Sequence, residues 1–295
     1  MDGILNINKP PGRTSFSIVS QVKSLIGERR VGHAGTLDPD ATGVLPVCFG
    51  RGTRVVEFLL GSTKTYQSQI ELGITTDTYD ASGKVTHRGD PSCVSLEQFQ
   101  TALAAFRGHI QQTPPMYSAV KHHGKPLYQL ARAGIEVERK SRPATIHHLE
   151  LLGWQPPVAS IEVSCGSGTY IRSLAHDLGQ LLGCGAIMKS LVRLRYGPFD
   201  IKDAVTPENL QGAIDTGCWQ DLVYPIDIVL SEWASVVLGD DDSKAVKSGR
   251  AINYPEPPPA SPESLCRAYT TDGHFLGVLR YIPEKGQWQP EKVFA

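Results

Sequence analysis

One carboxylate stands out in the sequence because of the residues around it. Asp38 lies in a turn rich in glycine, threonine and proline, five residues after His33. Pro39 biases the backbone of Asp38 away from the helical region, so we expect Asp38 on a stiff, extended loop. A carboxylate held in this way could act as a nucleophile in covalent catalysis. The alternative is a turn in which Asp38 hydrogen-bonds to its own backbone, and the local residues leave both interpretations open.

Five further motifs accompany this turn. They are Lys9-Pro10, Lys64-Thr65-Tyr66, the run from Pro114 to Lys121, Gly168-Thr169-Tyr170-Ile171-Arg172 and Leu191-Val192-Arg193-Leu194-Arg195. Together with the Asp38 turn, they resemble the motifs of the TruB family of tRNA pseudouridine synthases, and they occur in the same order. The resemblance is strong over residues 3–200 and weak over the rest. One motif alone would be weak evidence, whereas six in order are a specific signal.

The resemblance implies that the chain isomerises uridine to pseudouridine at position 55 in the T loop of tRNA. This reaction breaks the bond between ribose C1′ and uracil N1, rotates the bound base and joins C5 to C1′. It involves no redox change and no net hydrolysis, so we expect neither a cofactor nor a metal ion. Asp38 is the nucleophile that the resemblance assigns, and the sequence leaves open whether it attacks C6 of the base or C1′ of the sugar.

The resemblance also assigns two residues that act together with Asp38. Arg172 is expected to pair with the carboxylate and keep it ionised, because an isolated carboxylate in a closed pocket tends to become protonated. Tyr66 is expected to stack on the flipped-out uracil and to stand near C5, where a proton must leave. Without the resemblance, Arg172 would be interpreted as a surface residue at the start of a helix and Tyr66 as an ordinary strand residue.

Seven other residues are assigned to substrate binding by the resemblance. His33 is expected to fill the space left by the extruded base rather than to transfer a proton. The others are expected to line the pocket or to contact RNA: Tyr170, Leu191, Lys9, Lys64, Lys121 and Arg142. The last two belong to residues 114–147, which carry six Lys and Arg against two Glu and resemble a mobile RNA-clamping segment. A charged, solvated loop is the alternative for this segment.

Charge is distributed unevenly along the 295 residues, whose formal net charge is −1. Residues 1–199 carry 21 Lys and Arg against 15 Asp and Glu, whereas residues 200–295 carry 8 against 15. Because phosphate binding depends on the local electric field, the acidic C-terminal part does not exclude RNA as a partner. The change of sign predicts a domain boundary near residues 200–225.

The spacing of the cysteines and the length of the apolar segments argue against a zinc-binding, a membrane-spanning and a secreted protein. None of the six cysteines lies at metal-ligand spacing from another, so we expect reduced thiols and no zinc site. No apolar run has the length of a membrane span, and the N-terminal residues do not follow the pattern of a signal peptide. We therefore expect a cytoplasmic protein. The resemblance implies that it binds tRNA, and we expect a monomer that needs no protein partner.

Local signals predict the elements that must position the candidate residues. Helices are expected after three capping residues, Thr14 or Ser15, Ser95 with Gln98, and Thr169. Alternating apolar residues predict strands over residues 66–73 and 161–165. Strands and helices alternate irregularly, which favours an α+β fold, and the resemblance implies a mixed sheet core with helices.

A small β-rich domain is predicted for residues 225–295, after a catalytic domain of residues 1–224. Asp272 and Gly273 are typical of a hairpin turn, and the proline-rich residues 254–263 are predicted to form a loop. The motifs that weakly resemble the PUA RNA-binding module are Ser248-Gly249-Arg250 and Gly273-His274-Phe275-Leu276-Gly277.

Two other functions remain open at the level of sequence. One is a guide-RNA-dependent relative that works within a ribonucleoprotein, although the chain lacks the long basic tails that often accompany such assemblies. The other is a catalytically silent RNA-binding or RNA-folding protein of the same fold, against which the intact Asp38, Tyr66 and Arg172 argue. A glycoside hydrolase that uses Asp38 and Asp40 is disfavoured, because carboxylates two residues apart rarely flank a substrate from opposite sides.

Overall fold

A computed structural model describes residues 1–254 and 265–294. The α-helices in these ranges are α1 (Ser15–Ile26), α2 (Val56–Leu60), α3 (Leu96–Ala104), α4 (Leu127–Arg132), α5 (Ile171–Leu181), α6 (Pro207–Asp215) and α7 (Asp240–Lys247). The strands in these ranges are β1 (Gly3–Lys9), β2 (Val31–His33), β3 (Thr42–Phe49), β4 (Lys64–Leu72), β5 (Ile74–Thr76), β6 (Val85–Arg88), β7 (Gly108–Gln112), β8 (Lys121–His122), β9 (Lys125–Pro126), β10 (Arg142–Gln155), β11 (Val158–Cys165), β12 (Ala186–Tyr196), β13 (Phe199–Asp200), β14 (Val223–Tyr224), β15 (Ser235–Leu238), β16 (Leu265–Thr270), β17 (Phe275–Ile282) and β18 (Gln287–Val293).

A ten-stranded mixed sheet forms the centre of the larger part of the chain. Its main strand order is β14-β1-β3-β12-β4-β11-β10-β7, with β2 paired to β3 and β13 paired to β12. The β12–β3 pair is parallel and its other pairs are antiparallel. This mixed sheet with packed helices confirms the predicted α+β fold class.

Two groups of helices cover the sheet because each has an apolar stripe to bury. Helix α1 packs Ile18 and Val22 against the buried side chains of β1 and β3, together with Leu210 from α6. Helices α3 and α5 bury their apolar residues against β4, β10 and β11 in a second cluster. Burial of apolar surface against the sheet therefore determines where both ends of α5 lie, including the end that carries Arg172.

Most of the predicted helix boundaries agree with the structure. The Thr14 hydroxyl accepts from the Ser17 backbone N–H, and Ser95 forms the predicted capping box with Gln98. The prediction that Thr169 caps the next helix is wrong. The Thr169 hydroxyl donates to the Gly166 carbonyl instead, and α5 begins at Ile171 after Tyr170.

The strand predictions are confirmed with small shifts in their ends. The first predicted strand corresponds to β4, and the second forms the C-terminal part of β11, with Ile161, Val163 and Cys165 buried on one face. The Asp272-Gly273 turn joins the antiparallel strands β16 and β17, with Gly273 at a φ of 82°. A left-handed backbone at this position suits glycine because it has no Cβ.

A second, four-stranded sheet of order β15-β16-β17-β18 lies near the C-terminus and packs against α7. The end of β18 reaches back to the first half of the chain, where the Arg54 guanidinium donates to the Val293 carbonyl at 2.5 Å. Phe294 is buried in the same cluster as Ile4 and Val44. Of the loop predicted for residues 254–263, only Tyr254 lies within the described residues.

Within residues 1–254 and 265–294, every helix falls short of the combination of length and apolarity that crossing a membrane requires.

The contact between α5 and β12 leads to a stability prediction. A Cβ added at buried Gly179 of α5 would lie 2.0 Å from the Ala186 backbone nitrogen, so Gly179→Ala forces the helix away from the strand. We expect the free energy of unfolding in urea to fall by about 1–3 kcal/mol, as in other overpacked cores. Gly212→Ala in α6 is the control, because a Cβ there meets no atom within 4 Å. It should raise stability by about 1 kcal/mol, and an equal effect of both variants would contradict the close packing.

Candidate active site

Asp38 lies on the loop between β2 and β3, and both of its neighbours are tethered to the N-terminal part of the chain. The Ser15 hydroxyl donates to the Leu37 carbonyl at 3.1 Å and accepts from the Leu37 N–H at 2.9 Å. The Lys9 ammonium donates to the Pro39 carbonyl at 2.7 Å. These contacts hold the backbone on each side of Asp38, so the carboxylate has a defined position, as its proline-rich turn predicted.

Lys9 was expected to contact the substrate, but it is fully buried. Besides Pro39, its ammonium donates to the carbonyls of Pro10 at 3.0 Å and Arg13 at 2.5 Å. Burial lowers the pKa of Lys9 to about 8, which leaves it protonated at neutral pH. Lys9 therefore stabilises the Asp38 loop through a buried hydrogen bond to Pro39, and its ammonium is not accessible to an RNA phosphate.

Lys64 has a similar internal position. It is 7% exposed, and its ammonium donates to the carbonyls of Leu60 at 2.9 Å and Ser62 at 2.7 Å. The same ammonium lies 4.5 Å from the ring centroid of Tyr196. Lys64 thus joins the start of β4 to the preceding turn, and the sequence-based expectation of a direct RNA contact does not fit this placement.

The ion pair predicted between Asp38 and Arg172 is present. Arg172 Nε lies 3.0 Å from Asp38 Oδ2, and its Nη2 donates to Asp38 Oδ1 at 3.2 Å. The guanidinium therefore grips both carboxylate oxygens in a bidentate arrangement. The Arg172 side chain is 7% exposed and the Asp38 side chain 39%, so the carboxylate stands between a buried cation and open space.

Arg172 is itself held by backbone carbonyls from two other segments. Its Nη1 donates to the Thr78 carbonyl at 3.4 Å and its Nη2 to the Tyr117 carbonyl at 3.0 Å. Tyr117 belongs to the motif that opens the predicted RNA-clamping segment. The site thus joins the Asp38 loop, α5, the turn after β5 and the start of that segment through one guanidinium.

Asp80 is a site residue that sequence reasoning missed. Its Oδ2 lies 3.8 Å from Arg172 Nε, on the same cation as Asp38. Its Oδ1 accepts from the hydroxyls of Thr78 and Ser82, both at 2.6 Å, and from the Ser82 N–H at 3.0 Å. The local signal, an Asp with a Thr two residues before it and a Ser two residues after it, is typical of an ordinary turn and does not indicate a charge partner far away in sequence.

Electrostatics at Asp38 reflect opposing effects. Burial raises the pKa of the Asp38 carboxyl above its ordinary value, the positive charge of Arg172 opposes this rise, and the negative charge of Asp80 adds to it. The guanidinium is therefore the main group that favours the ionised carboxylate, and the ammonium of Lys9 adds a smaller effect in the same direction.

Tyr66 lies on β4 and packs against the large core cluster. Burial raises the pKa of its phenol, and the positive charge of Arg193 opposes that rise. Arg193 is buried and also donates to the carbonyls of Val44 at 2.6 Å and Gly35 at 2.9 Å. This arginine, to which the sequence analysis gave no role, joins the two ends of the Asp38 loop, and its positive charge acts on the Tyr66 phenol.

The remaining pocket candidates have different environments. His33 is half-buried, its Nδ1 is buried without a hydrogen-bond partner in the described part of the chain, and burial lowers its pKa. Leu191 is 8% exposed in the same core cluster as Tyr66. The Tyr170 N–H donates to Gln112 Oε1 at 3.0 Å, and its carbonyl accepts from Gln112 Nε2 at 3.2 Å. The backbone of Tyr170 is thereby held by β7.

The six Lys and Arg of residues 114–147 differ in exposure: one is largely buried and hydrogen-bonded within the protein, and the other five are exposed. Arg139 is 17% exposed and donates to the Pro114 carbonyl at 3.1 Å. The exposed cations are Lys121, Lys125, Arg132, Lys140 and Arg142. Arg132 lies over the Tyr128 ring at 5.6 Å from its centroid. Lys121 and Arg142 therefore have the exposure that RNA contact requires.

Within the described ranges, no group of three or more His, Cys, Asp or Glu side chains is arranged to hold a metal ion.

Comparisons with known proteins give a consistent result. The model of the TruB family pseudouridylate synthase N-terminal domain matches residues 23–171, and that of the tRNA pseudouridylate synthase B C-terminal domain matches residues 172–231. Proteins named tRNA pseudouridine synthase B from Dehalococcoides mccartyi and Azoarcus sp. are 45% and 41% identical over 295 residues, which cover 100% of this chain and 97% and 95% of theirs. A chain in the crystal structure of a Cbf5-Nop10-Gar1 complex is 27% identical with a TM-score of 0.78, and the match covers 99% of this chain and 85% of that one.

The charge balance at Asp38 predicts the effect of removing its cation. Arg172→Met keeps an unbranched side chain and deletes the guanidinium, so the pKa of Asp38 should rise further. The ¹³C shift of the Asp38 carboxyl, followed by NMR as a function of pH, measures this directly. Arg195→Met is the control, because the Arg195 side chain is 60% exposed and pairs with Asp200 instead. An unchanged midpoint in Arg172→Met would contradict the assigned electrostatic role.

Proposed function

Because the chain belongs to the TruB family of pseudouridylate synthases, we propose that it converts uridine to pseudouridine at position 55 in the T loop of tRNA. The observation that carries the proposal is the bidentate pair in which buried Arg172 grips the partly exposed carboxylate of Asp38. A cation that favours the ionised form gives this carboxylate the negative charge that a nucleophile needs.

Asp38 supplies the nucleophile in this proposal. The N1–C1′ bond of the uridine breaks and the C5–C1′ bond forms, while C5 loses a proton and N1 gains one, so the atoms balance without a co-reactant. Attack at C6 and attack at C1′ both require an ionised carboxylate at a fixed position. The tethers of Leu37 and Pro39 support the second requirement, because they restrict the loop before substrate binds.

Tyr66 is assigned to the flipped-out base. An aromatic ring beside the Asp38 loop offers a surface on which uracil can stack, which compensates part of the cost of leaving the RNA stack. Its raised pKa keeps the phenol neutral at neutral pH. A neutral phenol near C5 can hydrogen-bond during the loss of the C5 proton.

The other pocket residues are assigned to binding. His33 supports the RNA conformation from which the base has been extruded, and its lowered pKa makes it a neutral ring at neutral pH. Leu191 and Tyr170 contribute apolar and aromatic walls. The exposed cations Lys121 and Arg142 contact the RNA backbone, which suits the positive balance of residues 1–199.

Transfer RNA is the favoured substrate among the RNA classes considered. Identity to the proteins named tRNA pseudouridine synthase B reaches 45% over the whole chain, against 27% for the chain from the Cbf5-Nop10-Gar1 complex. A silent RNA-binding protein would have no need for a buried guanidinium that grips a carboxylate. We further assign residues 1–224 to the catalytic domain and residues 225–295 to a PUA-like domain, in an enzyme that acts as a monomer without a protein partner.

The experiment that tests the function combines product mapping with one substitution. Purified protein is incubated with an unmodified tRNA transcript, and pseudouridine is mapped by chemical modification. We expect pseudouridine at position 55 with the wild type and no detectable turnover with Asp38→Asn, which keeps the size of the side chain and removes its charge. Binding of tRNA should be largely retained, because it is spread over many phosphate contacts.

Asp40→Asn is the matched control, because Asp40 is an exposed carboxylate two residues further along the same loop. It should retain most of the activity. Modification at another position would overturn the assigned site in tRNA. Turnover of Asp38→Asn within about tenfold of the wild type would overturn the assigned nucleophile.

The salt dependence of binding tests the proposed RNA surface. Replacing the exposed lysines Lys121, Lys125 and Lys140 by Ala should weaken binding of every tRNA. It should also flatten the plot of log affinity against log salt concentration, by about one unit for each phosphate that the protein no longer neutralises. The control replaces Lys23, Lys202 and Lys285, which are also exposed but lie outside the segment. An equal change of slope in both variants would contradict specific binding of RNA by residues 114–147.

A further inference from the structure

We propose that Tyr79 and His176 form a stacked pair that positions Arg172 against Asp38. Tyr79 lies between Thr78 and Asp80, the two residues of the turn after β5 that contact the guanidinium. His176 lies on α5, four residues after Arg172. The proposal deepens the proposed function, on which it rests, by adding two positioning residues to the site.

The backbone of Tyr79 has an unusual conformation. Its φ is +64°, in the left-handed region that an aromatic residue rarely adopts. The neighbouring chain enforces this conformation, because the Tyr79 carbonyl accepts from the Met188 N–H at 3.0 Å and the Ala81 N–H donates to the Met188 carbonyl at 3.2 Å. Strained residues of this kind persist where the surrounding structure determines them, and they are frequent at functional sites.

The left-handed backbone directs the contacts of the turn. The carbonyl before Tyr79 accepts from Arg172 Nη1, and the carboxylate after it lies 3.8 Å from Arg172 Nε. One three-residue segment therefore supplies two oxygen atoms to the same guanidinium. A change in the backbone at Tyr79 would move at least one of these oxygens away from Arg172.

The side chain of Tyr79 ties this turn to α5. The Tyr79 and His176 rings are nearly parallel, with an interplanar angle of 11° and centroids 3.9 Å apart. Residues four apart in a helix lie on the same face, so His176 is one turn along from Arg172. The turn that contacts the guanidinium therefore also packs on α5, the helix that carries Arg172. Turn and helix are joined twice, through Arg172 and through the stacked rings.

Stacking, and not a hydrogen bond through Nδ1, holds the His176 ring. Its Nδ1 is buried and has no hydrogen-bond partner in the described part of the chain. Burial and the charge of Arg139 lower the pKa of His176, so its ring is neutral at neutral pH. A neutral imidazole stacked face to face on a phenol ring suits a packing role better than proton transfer.

Substitutions that remove the rings test the proposal. Tyr79→Gly deletes the ring and adopts a positive φ without strain, so it separates the stack from the backbone conformation. His176→Ala deletes the other ring. Each should slow single-turnover pseudouridine formation at saturating tRNA by about tenfold to a hundredfold, as expected for a misplaced catalytic group. The dissociation constant for tRNA should stay within about twofold.

Three further variants show whether the stack is the cause. The double variant should be no slower than the slower single variant, because either substitution already abolishes the pair. His176→Phe keeps a flat ring and should recover most of the rate. His87→Ala removes an exposed histidine on β6, which pairs with the strand before the same turn, and should react as the wild type does.

The pKa of Asp38 provides a readout that does not depend on turnover. Loss of the stack should loosen Arg172 and raise the pKa of Asp38, as measured from its carboxyl ¹³C shift in Tyr79→Gly and His176→Ala. An inactive wild type would overturn the proposed function while leaving this measurement intact. An unchanged pKa with an unchanged rate, a loss confined to tRNA affinity, or a His176→Phe variant as slow as His176→Ala would overturn the positioning role.

Discussion

The ion pair between Asp38 and Arg172 is the contact around which the described structure is organised. The nucleophilic role proposed for Asp38 requires an ionised carboxylate, yet burial raises its pKa. The fold opposes this rise by placing a guanidinium on both carboxylate oxygens. The guanidinium is buried in turn, so it requires oxygen atoms from other segments, and Thr78 and Tyr117 supply them. Four separate segments consequently meet at one cation.

Three further buried cations stabilise loops of this fold by hydrogen bonds to backbone carbonyls. Lys9, Lys64 and Arg193 are each at most 7% exposed, and each donates to a backbone carbonyl of a loop, that of Pro39, Ser62 or Gly35 respectively. A buried charge is costly unless it is hydrogen-bonded, so each of these side chains fixes the carbonyls around it. Two of them hold the Asp38 loop, one through Pro39 and the other through Gly35. Rigidity near the proposed nucleophile therefore comes from internal cations as well as from proline.

A close backbone approach adds to this rigidity. Gly43, the second residue of β3, has a φ of +99°, and a Cβ there would lie 2.2 Å from the Arg193 carbonyl oxygen. Only glycine allows β12 to approach so closely at the parallel junction with β3. The motif that carries Arg193 and the turn that carries Asp38 thus come together through a residue without a side chain.

The sequence by itself determined the features that depend on neighbours along the chain. The capping box at Ser95, the alternation of Ile161, Val163 and Cys165, and the hairpin at Gly273 follow local rules of geometry and burial, and the structure has all three. The order of motifs also identified the family and predicted that Arg172 meets Asp38. Only the tertiary structure decided the contacts of Lys9, Asp80, Tyr79 and His176. A sequence does not record which carbonyls surround a lysine, which distant cation lies beside a carboxylate, or which rings stack across 97 positions. Those contacts arise when the sheet and α5 pack together, because most buried polar groups are then stabilised by a partner that is near in space and distant in sequence.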